Sequence, residues 1–388
     1  MRIVQLANFY TPASGGLRTC VDEIGRGYLA AGHDRVLVVP GLTDADEPTA
    51  AGRRITVRGP RFGSAGYHVL TARRTRPLLE RLRPDVIECS DKLSVRWLAP
   101  WARRAGVPLV LFSHERIDAI LRSRVPPGFP LNTAADVANR RLVARAHRIV
   151  VTSGFARDEF ARIGARNVHR IPLGVDLDTF RPLDTVAAPL RLVGRDEPAP
   201  ETGSGTADSA AVRLVMVSRL SREKRPGRAI DALRLLRDNG IPAELTIVGD
   251  GPLRERLRQF AAGLPVTFLG HLADRNTVAT TIAAADIAVC PSPAETFGLA
   301  VLEALACGTP VVVPQDGAAR ELLGGPGSGR DCDGTPEGLA AAVRALLAIP
   351  APERRRAARR AAERFPWSTT VDALLSLYTE HTTITRSA

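Results

Sequence analysis

Two glutamates eight positions apart, Glu295 and Glu303, and two cations upstream, Arg219 and Lys224, are the residues of this 388-residue chain that best suit chemistry. Carboxylates accept hydrogen bonds from vicinal hydroxyls, and charge-assisted bonds are the stronger kind. Glu295 follows an apolar run, 286–290, that reads as a buried strand. Leu299, Leu302, Leu305 and Ala306 then recur at helical spacing over 298–307, and Gly308 is a good stop. Glu295 is therefore expected on a loop past the carboxyl end of a strand, and Glu303 one to two turns into the next helix. Ligands bind at that edge of open parallel sheets. A surface glutamate followed by one favoured by the helix dipole is the plainer alternative.

Arg219 and Lys224 lie in 218–226, directly after the apolar run 212–217. Convergent cations beside a helix N-terminus suit a diphosphate. Only Lys92 and Lys224 are lysines, so one of two compact, flexible ammonium groups falls in this loop. A solvated basic loop is the alternative. Gly15 and Gly16 follow the first apolar run and open a helical stretch, where the backbone can approach a phosphate closely. Their spacing is not that of a dinucleotide fingerprint. His114 follows another strand, and a neutral imidazole there can hydrogen-bond a hydroxyl. A structural histidine is the commoner case. Asp274 reads either as a helix N-cap or as an acceptor for a base.

Apolar runs at 2–7, 36–39, 85–89, 107–112 and 148–152 alternate with helical stretches at 17–31, 76–83 and 134–146. The pattern restarts with runs at 212–217, 244–248, 266–269, 287–290 and 311–313. Strands alternating with helices imply βαβ units and parallel sheets. The expectation is an α/β chain of two doubly wound domains, 1–181 and 182–365, then a terminal segment, 366–388. A stretch rich in Gly, Pro, Ser and acid, 189–210, reads as a mobile loop.

At 45% hydrophobic the chain can build substantial cores, yet no apolar run is long enough to span a bilayer. It opens on a strand without a basic-then-apolar leader. Five cysteines form neither a metal-ligand spacing nor a disulfide framework, which fits a cytoplasmic setting and no bound metal. A formal net charge of +12 favours anionic partners without naming one. Nucleic acid is not expected, because no basic stripe is interleaved with aromatics. The arginines of 73–83, interleaved with Leu78, Leu79 and Leu82 and preceded by Leu70, are a candidate peripheral contact with an anionic membrane, on its inner face. A solvated helix face is the plainer reading.

The run 293–313 resembles the E-x7-E signature of the retaining family-4 glycosyltransferases with the GT-B fold. The similarity extends from Arg2 to Tyr378 and is strongest in the second half. It implies two Rossmann-like domains facing across a cleft, with the last helix crossing back to the first domain. It also implies transfer of a hexose from a nucleotide diphosphate sugar to a hydroxyl acceptor, with retention, no metal and no cofactor beyond the donor. By the resemblance Glu295 contacts the donor sugar and Glu303 the ribose, with Phe297, Gly298 and Leu299 in the same donor site. Arg219 and Lys224 hold the diphosphate, Gly15 and Gly16 face it, and Gly249 lies near the nucleotide. His271 and Leu272 read the base through backbone groups, and His114 stands near the donor sugar. GDP-mannose is the first expectation for the donor, and UDP-glucose or UDP-N-acetylglucosamine the second. The acceptor is a lipid-linked molecule, a glycan or a small natural product, met by the loops 58–67 and 116–131. A nucleotide-sugar epimerase on the same architecture is one rival reading. A non-enzymatic nucleic-acid-binding protein is the other.

Overall fold

The computed structural model describes residues 1–11, 15–63, 67–122, 130–183 and 211–386. The expected loop at 189–210 lies outside them, as do 12–14 and parts of the two acceptor loops. The chain divides into two compact units, Met1–Gly174 with Phe365–Ala388, and Val175–Arg364. The first crossing thus falls earlier than the junction expected at 181–182. A Cβ on Gly174 would lie 2.4 Å from the Trp367 Cα, and Thr370 donates to the Pro172 carbonyl at 2.9 Å. These contacts keep 172–174 on the first unit.

The first unit holds β1 (Arg2–Leu6), β2 (Asp34–Gly41), β3 (Ala45–Thr49), β4 (Gly52–Arg58), the short hairpin β5 (Arg61–Phe62) and β6 (Tyr67–His68), β7 (Val86–Cys89), β8 (Leu109–Ser113), β9 (Arg148–Val151) and β10 (Val168–Arg170). Its main sheet runs β10-β9-β8-β7-β1-β2-β4-β3, parallel except for the β3–β4 pair. Strands of β-branched residues covered on both faces read as continuous apolar runs, and β7 and β8 are buried throughout. The helices are α1 (Gly15–Ala30), α2 (Ala72–Leu82), α3 (Val95–Ala105), α4 (Ile117–Arg122), α5 (Leu131–Val143) and α6 (Gly154–Ala161).

Helix α2 starts at Ala72, before the expected 76, with Pro77 inside it. Leu70, Leu78, Leu79 and Leu82 are all buried, whereas Arg73, Arg74, Arg81 and Arg83 are exposed. The leucines therefore belong to the core, not to a lipid-facing surface. This corrects the expected apolar component of a membrane contact; only the charge remains outside.

The second unit carries β11 (Val212–Val217), β12 (Ala243–Val248), β13 (Val266–Gly270), β14 (Ile287–Val289), β15 (Val311–Pro314) and β16 (Gly329–Cys332) in the all-parallel order β13-β12-β11-β14-β15-β16. Its helices are α7 (Gly227–Asp238), α8 (Arg254–Phe260), α9 (Arg275–Ala284), α10 (Leu299–Ala306), α11 (Pro336–Leu347) and α12 (Ala351–Ala362). The chain then returns to the first unit through α13 (Trp367–Arg386), which packs on α1.

A buried polar chain fastens that return. Arg35 donates to Gln5 at 2.6 Å, and Gln5 to Glu88 at 2.8 Å. The other Glu88 oxygen accepts from Tyr28 at 2.9 Å and Tyr378 at 2.7 Å. Arg35 also donates to the Ala51 and Val21 carbonyls, so the buried charges have partners. Among the described residues no helix is long and apolar enough to cross a membrane.

Candidate active site

In the second sheet β11 leads to β12 on one side, whereas β14 lies on its other side. The order reverses between β11 and β14, and crevices open at the carboxyl ends of strands at such a point. The loop after β11 carries Arg219 and Lys224; the loop after β14 carries Glu295. A small open pocket lies there, lined in part by Ser218, Lys224, Cys290, Ser292, Glu295 and Gly298.

Lys224 and Glu295 meet inside this pocket, with Nζ 2.6 Å from Oε1. Each side chain keeps about a quarter of its surface exposed, at 25% and 27%, so both remain open to a ligand. Lys224 closes a 3₁₀ turn, Arg222–Lys224, and its amide bonds the Ser221 carbonyl at 3.1 Å. Ser221 Oγ donates to Glu223 at 2.5 Å, and this bond helps hold the Glu223 carboxyl below its ordinary range against burial.

The loop of Glu295 is held by its backbone. Ala318 N–H donates to the Glu295 carbonyl at 3.0 Å. Gly317, at φ 102°, lets the chain pass where a Cβ would lie 2.7 Å from the Pro293 carbonyl oxygen. Phe297 is buried in the core, and Gly298 opens α10 at φ 99°. Leu299 and Glu303 follow in α10, both half-buried. Cys290 beside Glu295 is pushed up to about 12 by burial and by that carboxylate, so its thiol stays protonated at neutral pH.

Gly249 is held close against the loop after β11. A Cβ on it would lie 2.0 Å from the Ser218 carbonyl oxygen, and its φ is 130°. Around it Ser218 N–H donates to Val248 O at 3.0 Å, and Leu220 N–H to Asp250 O at 2.9 Å. The glycine turn is thus clamped to the stretch that presents Arg219, whose side chain is exposed. His271 is exposed and Leu272 half-buried, just past β13. Asp274 caps α9, accepting from the Asn276 and Thr277 amides and the Thr277 hydroxyl.

Gly15, Gly16 and His114 stand on the first unit. Both glycines are exposed at the start of α1, and a Cβ on Gly15 would meet nothing within 4 Å. Packing of the described residues therefore does not demand glycine at 15. His114 is half-buried and stacks on Phe112 with centroids 4.6 Å apart. Burial and the nearby Lys92 ammonium lower it to about 4, so the imidazole is neutral at physiological pH. Lys92 donates to the Glu115 carbonyl at 2.5 Å and pairs with buried Glu159, which also accepts from Ile117 N–H. These bonds fix the backbone from the Glu115 carbonyl to the Ile117 amide, just after His114.

Sequence reasoning did not identify Ser218, Cys290, Ser292 or the Gly317–Ala318 brace. Gly317 carried a signal: it sits three residues past β15, at the same sheet edge as Glu295.

Comparison with known proteins identifies the family. The family described as "Glycosyl transferases group 1" matches residues 205–365, and "Glycosyltransferase Family 4" matches 14–179. The chain is 44% identical over 97% of its length, and 95% of the relative's, to a Mycobacterium tuberculosis protein named GDP-mannose-dependent alpha-(1-6)-phosphatidylinositol dimannoside mannosyltransferase. The chain belongs to glycosyltransferase family 4.

The glycosyltransferase is also 30% identical to a GDP-mannose-dependent alpha-mannosyltransferase of Mycolicibacterium smegmatis, over 97% of both chains. Its fold is GT-B: sucrose-phosphate synthase from Thermosynechococcus elongatus superposes with a TM-score of 0.80 over 99% of both chains at 20% identity. The protein is an enzyme that uses a nucleotide sugar, as its sequence resemblance implied. Neither the epimerase nor the nucleic-acid reading gains support.

Proposed function

We propose that the enzyme transfers mannose from GDP-mannose to a hydroxyl of a phosphatidylinositol-linked mannoside, with retention and without a metal. The observation that carries this reading is the 44% identity, over nearly both chains, to a relative named for that donor and acceptor. A second relative named for GDP-mannose supports the donor.

Arg219 and Lys224 neutralise the departing diphosphate, the task a cation performs in other transferases. Glu295 accepts from mannose hydroxyls and Glu303 from the ribose, with Phe297, Gly298 and Leu299 forming the wall between them. Gly249 keeps the Arg219 loop in place, and backbone groups at His271 and Leu272 read the base. Gly15 and Gly16 offer amides to the phosphates from the first unit. A neutral His114 hydrogen-bonds a sugar hydroxyl without adding charge. The acceptor lies in an anionic leaflet, and the exposed arginines of α2 add attraction to such a surface. The working place is then the cytoplasmic face of the membrane.

The test is incubation of the full chain, in chelator, with GDP-mannose and a phosphatidylinositol mannoside, followed by NMR of the product. An α-mannosyl product with release of GDP is expected. Transfer from UDP-glucose or UDP-N-acetylglucosamine alone would overturn the donor, and a β-linked product would overturn retention.

A further inference from the structure

The pairing of Lys224 with Glu295 brings together two groups that the donor reading assigns to different parts of the ligand. The ammonium belongs to the diphosphate and the carboxylate to the sugar, yet here they lie 2.6 Å apart. We propose that Glu295 is the resident counter-ion of Lys224 and competes with the diphosphate for it, so that the site discriminates against the bare nucleoside diphosphate. The inference rests on the donor reading above and adds a specificity role to it.

Both loops are held by backbone bonds, through Lys224 N–H to Ser221 O and Ala318 N–H to Glu295 O. The side-chain tips are partly exposed, and the lysine stem is long and flexible, so the ammonium can change partner while the loops stay still. Glu223 beside it is engaged by the Ser221 hydroxyl. A diphosphate arriving alone draws Lys224 away and leaves the Glu295 carboxylate without its cation, beside a new anion. Like charges at such distances repel. A nucleotide sugar brings hydroxyls that donate to Glu295 in place of the ammonium. The donor thus replaces what it removes, whereas the nucleoside diphosphate product does not. After transfer the sugar is gone, Glu295 takes Lys224 back, and the diphosphate loses its cation.

The experiment is calorimetric titration of the full chain with GDP, inorganic pyrophosphate and GDP-mannose, using wild type, Glu295→Gln, Lys224→Met and the double variant. Glu295→Gln is expected to tighten GDP and pyrophosphate by about two- to fivefold, the range expected for a partly exposed ion pair removed as competitor. It is expected to weaken GDP-mannose. Lys224→Met is expected to erase the gain, the double variant binding pyrophosphate like Lys224→Met alone. Unchanged or weaker binding of GDP and pyrophosphate by Glu295→Gln overturns the competition and leaves the donor reading standing. Tighter pyrophosphate with no GDP binding in any variant supports the competition and overturns the guanine donor.

Discussion

Glu88 Oε2, buried at the centre of the first sheet, accepts a 2.7 Å hydrogen bond from Tyr378 on the last helix. Residues 290 positions apart are joined there, and the bond fastens the chain's return to its first unit. Tyr28 is the second donor to the same oxygen. Bonds to a charged group are worth about 1.5–3 kcal/mol. Tyr378→Phe is therefore expected to lower stability by about that amount while leaving GDP affinity unchanged. Chemical denaturation and nucleotide titration of the variant check this, and an unshifted midpoint would contradict it.

Gly249→Ala should act on the donor site through the backbone. Its Cβ meets the Ser218 carbonyl oxygen, and φ 130° is strained for any side chain. The Arg219 loop must shift. The expected outcome is donor affinity reduced by about tenfold or more, with a stability loss of about 1–3 kcal/mol. Wild-type affinity for GDP-mannose would show that the loop position does not matter.

Lys224→Ala separates turnover from stability. A partly exposed ion pair contributes about 0–1 kcal/mol to folding. Loss of a charge aimed at a leaving group costs on the order of 10²–10³ in kcat. A large fall in kcat is expected with a nearly unchanged denaturation midpoint. Wild-type turnover in the folded variant would remove Lys224 from the reaction.

His114 has a folded pKa lowered to about 4, by burial and then by Lys92. An unfolded histidine titrates near about 6.5. Between these values the unfolded chain binds the extra proton, so this contribution to stability falls as pH drops from about 6.5 through about 4. His114→Gln should flatten that acid-side loss in denaturation midpoints compared at pH 7 and pH 5. The wild-type ring should also show no titration by NMR between pH 6 and 8. A ring titrating near 6.5 would refute its neutral role.

The second sheet was the more legible half of the fold. The middle of β11, 214–216, and all of Val311–Pro314 are apolar because both faces are covered, and Gly298 and Gly308 bracket α10 at positive φ. Strand β3 is exposed along most of its length and reads Ala-Asp-Glu-Pro-Thr. It exists because β4 lies beside it, not because of its own pattern. The same holds for β16, Gly-Arg-Asp-Cys, paired with β15. Helix α3 carries Pro100 and two tryptophans, which mask its period. In the site, the sequence separated Lys224 and Glu295 by 71 residues and suggested a distinct partner for each. Their meeting follows from β11 and β14 being neighbours, which only the sheet order reveals. Likewise nothing in the sequence around Gly249 shows that a Cβ there would meet the Ser218 carbonyl oxygen, from a loop some thirty residues earlier.

The central claim is that the second unit binds a guanine nucleotide sugar. A thermal-shift panel of GDP, UDP, ADP and TDP with their sugar conjugates, in chelator, tests it most directly, since a ligand that binds only the folded state raises its melting temperature by mass action. The account predicts a clear rise with GDP-mannose, a smaller one with GDP and none with the other bases. A rise with UDP-sugars alone, or with none of the panel, would contradict it.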